Sequence, residues 1–565
     1  MAHATERTPL LRDGADSETQ SAAPTASSST TVTRPDTPET QPKPTDDGAS
    51  EPPPTDGEPA TDASKSFKTL ALAILPMTIG TFLASMDSTI VLSSYASIGS
   101  ELNELQSTSW ISTGYMLTLA SFQPLYGKLS DIFGRKPCLL FAYVVFALGC
   151  LACGLARNMT ELIAARAFAG IGGGGMIVSI IMSDMIPLRS RGTWQGLINI
   201  IWASGSAVGA PLGGLLADSI GWRWAFLLQV PLTVLALTSI TFALHIPQPE
   251  ASDLRARLAR VDFAGAFTLI AALLSLLVGL DRGGNVAWQD TYTLASLAVF
   301  LLSFAAFAAV ELRVAAEPFA PKRIVADRAL LASYLCNFFG VAGAICAVFY
   351  VSMYVQAVLK RSAADAGVAL LPSIVAGTAA SLAGGLVIQA TGKYYALTVA
   401  NYGLMVFGNV LLPLCAGAVG RSFVGFEIGL TLMAFGNGKG GGITTTLISL
   451  IAQAGPQDQA IATAVSYLFR SLGSVIGLSV GSTIFQESLR HYLHERLVGH
   501  DVEEIVSRVR ESLEYIEELE PAARAIVRAS YEGALVTSFW FCAGLALCAF
   551  VSSLFIQEKV LVHKK

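Results

Sequence analysis

The sequence predicts an all-α polytopic membrane protein, from its composition and from the length of its apolar segments. Hydrophobic residues make up 52% of the 565-residue chain and charged residues only 14%, and the mean hydropathy is +0.54. Apolar runs long enough to cross a bilayer recur from about Phe67 to Ile556. Because backbone groups in lipid must be hydrogen-bonded within their own segment, these spans should be helices.

Residues 1–67 differ in composition from the rest of the chain. They are rich in Pro, Ser and Thr, and they hold twelve Asp and Glu against five Lys and Arg. A segment of this kind cannot bury a core, so we expect a disordered acidic tail. No apolar stretch precedes Phe67, and we therefore expect no cleaved signal peptide.

A short motif stands near the start of this tail, where Glu6 lies four residues before Leu10 and Leu11. The pattern resembles the acidic dileucine sorting signal, in which two exposed leucines and a carboxylate dock in a clathrin-adaptor groove. A long cytosolic tail would leave the motif accessible to such a partner. The alternative is a chance match, because a six-residue pattern is common.

We predict fourteen spans and derive their orientation from the loops. Short loops after even-numbered spans, together with the C-terminal tail 557–565, carry 16 Lys and Arg, and short loops after odd-numbered spans carry six. Since positive charge is retained in the cytosol, both termini should be cytosolic. The last odd-side loop, 487–533, is the only long one and should be lumenal or extracellular. The predicted spans are 68–95, 108–126, 138–156, 160–183, 194–216, 224–245, 262–280, 293–312, 328–350, 364–388, 394–414, 423–448, 458–485 and 534–556.

The loop between spans 2 and 3 carries the most specific motif of the chain. Its glycines permit a tight turn, its aspartate can accept hydrogen bonds or pair with an arginine, and its basic pair marks it as cytosolic. The spacing resembles the signature loop of the major facilitator superfamily, in which the loop helps to latch the cytosolic gate. The motif residues are Gly127, Asp131, Gly134, Arg135 and Lys136.

The chain also repeats itself, which predicts the fold of that superfamily. A degenerate copy of the signature loop has Gly385, Gly392 and Lys393 at the same spacing, with Gln389 in the position of Asp131. We therefore expect two pseudo-symmetric six-helix halves, two extra linker spans, and a substrate cavity between the halves. The predicted divisions are an N-terminal half 68–245, a linker 246–327 and a C-terminal half 328–556.

Span 5 carries a glycine at every fourth position, and span 13 repeats the pattern. Such a ladder permits close helix packing, and a proline within it can bend the helix. The span-5 motif resembles the antiporter motif of the fourteen-spanner, proton-exchanging branch, although alanine replaces its usual glycine before the proline. The span-5 residues are Gly205, Gly209, Pro211, Gly213 and Gly214, and the span-13 glycines are Gly473, Gly477 and Gly481.

Three ionisable residues within spans are candidates for proton coupling or substrate binding, because charge is costly at that depth. Asp87 in span 1 resembles the Asp-x-Thr motif of the branch and could carry a proton. Arg166 in span 4 resembles an arginine that the family links to proton transfer, and Arg470 in span 13 resembles a recurrent family arginine. The alternatives are a structural cap for Asp87 and a fixed ion pair for Arg166. Lys439 and Glu427 either bind substrate or snorkel to the interface.

The resemblance implies a proton-coupled secondary active transporter that moves small organic solutes out of the cytosol. Fungal vacuolar transporters of basic amino acids in this branch have a similar dileucine end, and Asp87 suits a cationic solute. The alternatives are a plasma-membrane efflux pump for drugs or for a secreted metabolite such as a glycolipid, and a non-transporting nutrient receptor. The receptor reading is disfavoured by the nine-residue tail after Ile556.

The sequence shows no motif that indicates another class of function. No nucleotide-binding loop occurs, and the histidines show no metal-ligand spacing. The Cys-x-x-Cys pair at Cys150 and Cys153 lies on an apolar segment, which favours small packing residues over a metal or redox site, so we expect no enzyme activity, no cofactor and no metal. No basic patch suits nucleic acid. The expected partners are a small-molecule substrate, protons, the lipid bilayer and the clathrin adaptor. Three histidines in the loop 487–533 suit either a solvated helix pair or a pH sensor; they are His491, His494 and His500.

Overall fold

The computed structural model describes residues 60–173, 178, 181, 191–244, 262–313, 322–437, 441–497 and 502–559. The dileucine motif Glu6, Leu10 and Leu11 lies outside these residues, as do Lys439 and His500. Throughout the described part of the chain the secondary structure is helical, apart from one isolated bridge between Ala416 and Arg421.

The first eight helices correspond to the first eight predicted spans. They are α1 Ala60–Glu101, α2 Ser109–Phe133, α3 Arg135–Leu155, α4 Met159–Ile171, α5 Arg191–Ser219, α6 Arg223–Ala243, α7 Phe263–Asn285 and α8 Thr291–Arg313. The remaining helices are α9 Arg328–Val358, α10 Ala363–Thr391, α11 Tyr395–Ala418, α12 Phe423–Gly436, α13 Gly441–Arg496 and α14 Pro521–Ser553.

Ten stretches of the described residues are long and apolar enough to cross a membrane. The prediction of fourteen spans is thus supported for ten and stays a prediction for the others. α4 and α12 are described over only 13 and 14 residues. α13 continues the predicted span 12 and then bends at Gly455, whose φ of +74° lies in the left-handed region, before it forms span 13.

The helices pack in two sets of six with the same pairings. In the first set α1 packs on α5 and α6, α4 packs on α2 and α3, and α3 packs on α6. In the second set α9 packs on α13 and α14, α12 packs on α10 and α11, and α11 packs on α14. α7 packs against α2 and α13 and so joins the seam between the two sets, while α8 packs on α7.

The glycine ladders allow two helices within each set to pack very closely. A Cβ at Gly209 would overlap the backbone of Met86 in α1, and a Cβ at Gly477 would overlap the backbone of Ala342 in α9. Gly205, Gly213 and Gly473 likewise meet backbone atoms, whereas a Cβ at Gly481 would overlap a side chain, so at most of these positions only glycine allows the backbones to approach so closely. The remaining ladder contacts are Gly205 on Phe82, Gly213 on Ile90, Gly473 on Phe338 and Gly481 on Cys346.

Gly134 and Gly392 lie at one end of the bundle, which we call the motif end. A helix at Val502–Glu511, the loop helix, lies at the opposite end, which we call the loop-helix end. Both glycines have positive φ, +92° and +68°, and each separates two successive helices. This conformation strains other residues, which accounts for glycine at both positions of the repeated motif.

The two sets contact each other at the loop-helix end. The Asp218 carboxylate at the end of α5 accepts hydrogen bonds from the backbone N–H groups of Ala363 (3.3 Å) and Ala364 (2.8 Å) at the start of α10. The rings of Tyr95 in α1 and Phe349 in α9 stack at 4.0 Å. Polar contacts add to the seam, between Ser352 and the Ser93 carbonyl, Ser482 and Ser109, and Ser471 and Gln123.

The long loop predicted at 487–533, for which we expected helices, is folded as a helical cap over its described residues 487–497 and 502–533. α13 continues to Arg496 and α14 begins at Pro521, so both helices extend into it. Arg510 of the loop helix donates hydrogen bonds to Asn285 (2.7 Å) and Gln486 (3.2 Å). Burial lowers the pKa of the Arg510 guanidinium from its ordinary value. Tyr531 of α14 donates to the Val509 carbonyl of the loop helix at 2.7 Å, so the cap ties α7, α13 and α14 together.

Candidate functional site

Asp87 and Arg166 meet in the interior of the first helix set. Arg166 Nη1 donates to both carboxylate oxygens of Asp87 at 2.9 Å, and neither side chain is more than 2% exposed. The sequence singled out both residues, and the structure shows that they form a buried ion pair between α1 and α4.

Three further groups hold the pair in place. Gln229 Nε2 in α6 donates to Asp87 Oδ1 at 3.2 Å, and Arg166 Nε donates to the Ile111 carbonyl in α2 at 3.2 Å. The guanidinium carbon of Arg166 also lies 4.3 Å from the centroid of the Tyr115 ring, a cation–π contact. Four helices therefore contribute to one site.

Gln229 is a site residue that the sequence analysis missed. It is fully buried, and its Nε2 also donates to the Ala225 carbonyl at 3.0 Å, while its own side-chain oxygen has no partner in the described part of the chain. The signal in the sequence is a single amide between Leu228 and Val230 in an otherwise apolar helix. A buried amide of this kind needs hydrogen-bond partners, and its bond to Asp87 links Gln229 to the ion pair.

The second helix set has no equivalent of this pair. Asp87 follows Met86, which packs on Gly209, and the corresponding residue after Ala342 is Gly343. Gly172 packs on α3 just as Gly436 packs on α11, and six residues before these glycines stand Arg166 and Leu430. The architecture is repeated, but the ion pair belongs to the first set alone.

A neutral polar cluster occupies the second set instead. Asn337 in α9 donates to Ser466 Oγ in α13 at 3.1 Å and accepts from Thr446 Oγ1 at 3.2 Å. Arg470, the third predicted coupling residue, is half-buried and its guanidinium lies 5.0 Å from the Tyr467 ring. Within the described ranges it forms no ion pair, and it is not a partner of Asp87.

The signature loop makes contacts within its own helix set. Lys136 Nζ donates to the Thr241 carbonyl in α6 at 2.8 Å, and Arg135 donates to Ser130. Gly127 and Asp131 belong to α2 by their backbone, and their side-chain environment is outside the described part of the structure. The latch across the gate thus stays a prediction.

The two buried charges of Asp87 and Arg166 depend on each other. Removing one partner of a buried ion pair typically destabilises a protein by about 3–5 kcal/mol, because the other charge is left uncompensated. The two charges of the pair therefore stabilise each other, and loss of either one would leave the other buried without its partner.

Comparison with known proteins identifies the family of the chain. The family model described as Major Facilitator Superfamily matches residues 77–478. The chain is 39% identical over 503 residues to the vacuolar membrane amino acid uptake transporter fnx2 of Schizosaccharomyces pombe, covering 88% of this chain and 86% of the relative. It is 37% identical over 490 residues to the multidrug resistance protein fnx1 of the same yeast, covering 86% and 92%.

A third relative and a solved structure extend these findings. The chain is 32% identical over 453 residues to the vacuolar basic amino acid transporter 2 of Saccharomyces cerevisiae, covering 76% of this chain and 93% of the relative. The fold is similar to that of a bacterial homologue of the human lysosomal transporter Spinster in an inward-facing, occupied conformation. That match has a TM-score of 0.56 at 13% identity and covers 87% of this chain and 97% of the other.

Proposed function

This chain belongs to the Major Facilitator Superfamily and is a multi-pass membrane transporter, and we propose that it exchanges protons for basic amino acids, which it moves from the cytosol into the vacuole. The observation that carries the proposal is the buried Asp87–Arg166 pair. Burying a carboxylate at this depth is energetically costly, and residues that bear this cost are generally functional.

The pair accounts for exchange because a proton and a cationic solute compete for the single negative charge of Asp87. When the site is open to the acidic lumen, a proton on Asp87 neutralises the charge and weakens attraction for a cationic solute. When the site is open to the cytosol, Asp87 gives up the proton and again attracts a cation. Arg166 and Gln229 stabilise the ionised carboxylate between these steps.

The orientation follows from charge and fits the closed seam. The motif end carries the basic signature loop, so we assign it and both termini to the cytosol. The contacts of Asp218 with α10 and of Tyr95 with Phe349 then close the lumenal end. Loading of the solute from the cytosol would then require the bundle to open at the motif end.

The substrate class rests on two relatives and on the charge of Asp87. The names of fnx2 and of the vacuolar basic amino acid transporter 2 record amino acid transport at the vacuole. The direct test is uptake by the purified full-length protein in lipid vesicles with an acidic interior. We expect uptake of lysine, arginine and histidine that a protonophore abolishes, and little uptake of leucine. Uptake of leucine equal to that of lysine would contradict the substrate class.

A plasma-membrane efflux pump for drugs or a secreted metabolite is the second candidate, favoured by the 37% identity to fnx1. The location of a C-terminally tagged protein separates the two. We expect the wild type at the vacuolar membrane, and a variant with Leu10→Ala and Leu11→Ala at the cell surface, because the proposed adaptor signal with Glu6 is removed. Wild type at the cell surface would favour efflux. Any net transport would exclude the nutrient receptor.

A further inference from the structure

Glu427 is an acidic residue whose two carboxylate oxygens are buried, and the Asp87 mechanism gives it no role. It lies in the second turn of α12, near the loop-helix end, between Phe426 and Ile428. Neither of its carboxylate oxygens has a hydrogen-bond partner among the described residues. It is also absent from every ion pair found in the described part of the chain.

The orientation of the side chain rules out interfacial snorkelling. In snorkelling the aliphatic stem stays in the apolar region and the charged head reaches water. Glu427 does the reverse, because the residue as a whole is partly exposed while both carboxylate oxygens are buried. The head therefore points into the protein, where an ionised carboxylate is least favourable.

The nearest cation does not neutralise this carboxylate by contact. The guanidinium of Arg361, in the loop before α10, lies 4.3 Å from the centroid of the Phe423 ring. Phe423 precedes Glu427 by four residues, so it lies one turn away on the same face of α12. Arg361 thus rests on the aromatic ring within reach of Glu427 without pairing with it.

The other titratable side chains around this part of α12 make their contacts with groups other than Glu427. Asp365 in α10 takes part in the capping box with Ser362, and Glu532 pairs with Arg421. The remaining two are Cys415 of α11, against Gly425, and Tyr354 of α9, whose ring lies 4.5 Å from Phe426.

We propose that Glu427 is a second proton-binding site, in the C-terminal helix set, loaded from the loop-helix end. Burying an ionised carboxylate without a partner is unfavourable, and a proton taken from water removes that cost. When the proton returns to water on the same side, the guanidinium of Arg361 leaves Phe423 and pairs with the carboxylate. Its description as a second site rests on the proposed role of Asp87, but this proton does not cross the membrane, and its binding can be measured without transport.

The experiment is infrared difference spectroscopy of the purified full-length protein in lipid vesicles, recorded while the pH is stepped. A protonated carboxyl group has its own carbonyl band, which vanishes on ionisation. We expect such a band to titrate in the wild type and to be missing in Glu427→Gln, whose amide mimics the neutral acid. Proton release over the same pH range should fall by about one per protein. Glu101→Gln is the matched control, because Glu101 is a partly exposed acid paired with Arg223 at the same end.

A second variant keeps the test decisive if Glu427→Gln does not fold. Glu427→Asp retains an acid, and its band should appear at a shifted frequency that assigns the signal to this position. The proposal is overturned if the band persists in Glu427→Gln, if its frequency is the same in Glu427→Asp, or if it does not respond to pH. None of these outcomes depends on whether basic amino acids are the substrate.

Discussion

Among individual residues, the Asp87–Arg166 pair is the clearest sign of function. Asp87 and Arg166 could both be identified from the sequence, because each is an ionisable residue inside an apolar segment. Their pairing could not, since the two lie 79 residues apart and meet only through the packing of α1 on α5 and α6 and of α4 on α2. Gln229 could not be identified from the sequence, because an amide carries no charge and its place in the site depends on the hydrogen bond to the Asp87 carboxylate.

The pair should also control stability. Arg166→Ala leaves Asp87 buried without its cation, so we expect a loss of about 3–5 kcal/mol in the free energy of unfolding. The double variant Arg166→Gln with Asp87→Asn removes both charges and should recover most of that loss. Thermal unfolding in detergent measures both. Equal destabilisation of the single and double variants would show that the charge balance is not the cause.

The glycine ladders show how helix packing was predictable in part. Their spacing predicted close approach, and the structure confirms it for both ladders by placing their glycines on the α1 and α9 backbones. The helix ends were less predictable. α13 and α14 extend into the predicted loop because residues such as Leu489, Leu493 and Val527 are buried there against one another's helices. In the sequence of 487–533 the apolar face is interrupted by charged residues of both signs, so it could not be recognised.

Gly209 offers a sharp test of the ladder. Gly209→Leu places a side chain where the Met86 backbone and the Thr89 side chain already lie, and overpacking of this kind typically costs about 1–3 kcal/mol. We expect a lower folded yield by size-exclusion chromatography. Gly544→Leu in α14 is the matched control, since a Cβ there meets open space. If the Gly209 variant were as well folded as the Gly544 variant, the tight α1–α5 contact would be wrong.

Across the whole molecule, the repeat in the sequence predicted two helix sets with the same pairings, which the structure shows. What the repeat could not predict is how the sets touch, because the contacts join residues with no motif. Asp218 of α5 accepts hydrogen bonds from the first turn of α10 and so caps a helix of the other set. Asp365 caps the same helix from within its own set.

These two caps should differ in their effect on gating. A helix cap contributes about 1 kcal/mol, so Asp218→Ala should shift the equilibrium away from the closed loop-helix end by about fivefold. The readout is the rate of disulfide formation between cysteines at Ser97 and Gln356, which face each other across that end. Asp365→Ala should leave the rate unchanged. Equal rates in the wild type and Asp218→Ala would mean that this contact does not hold the end closed.

The measurement that tests the central claim most directly is proton-driven lysine uptake by Asp87→Asn, beside exchange of internal for external lysine without a proton gradient. Asparagine resembles a permanently protonated Asp87 in shape and charge. The account predicts that the variant loses uptake driven by the gradient, even when its folding and membrane location match the wild type. Gradient-driven uptake at the wild-type rate would contradict it and would remove Asp87 from proton coupling.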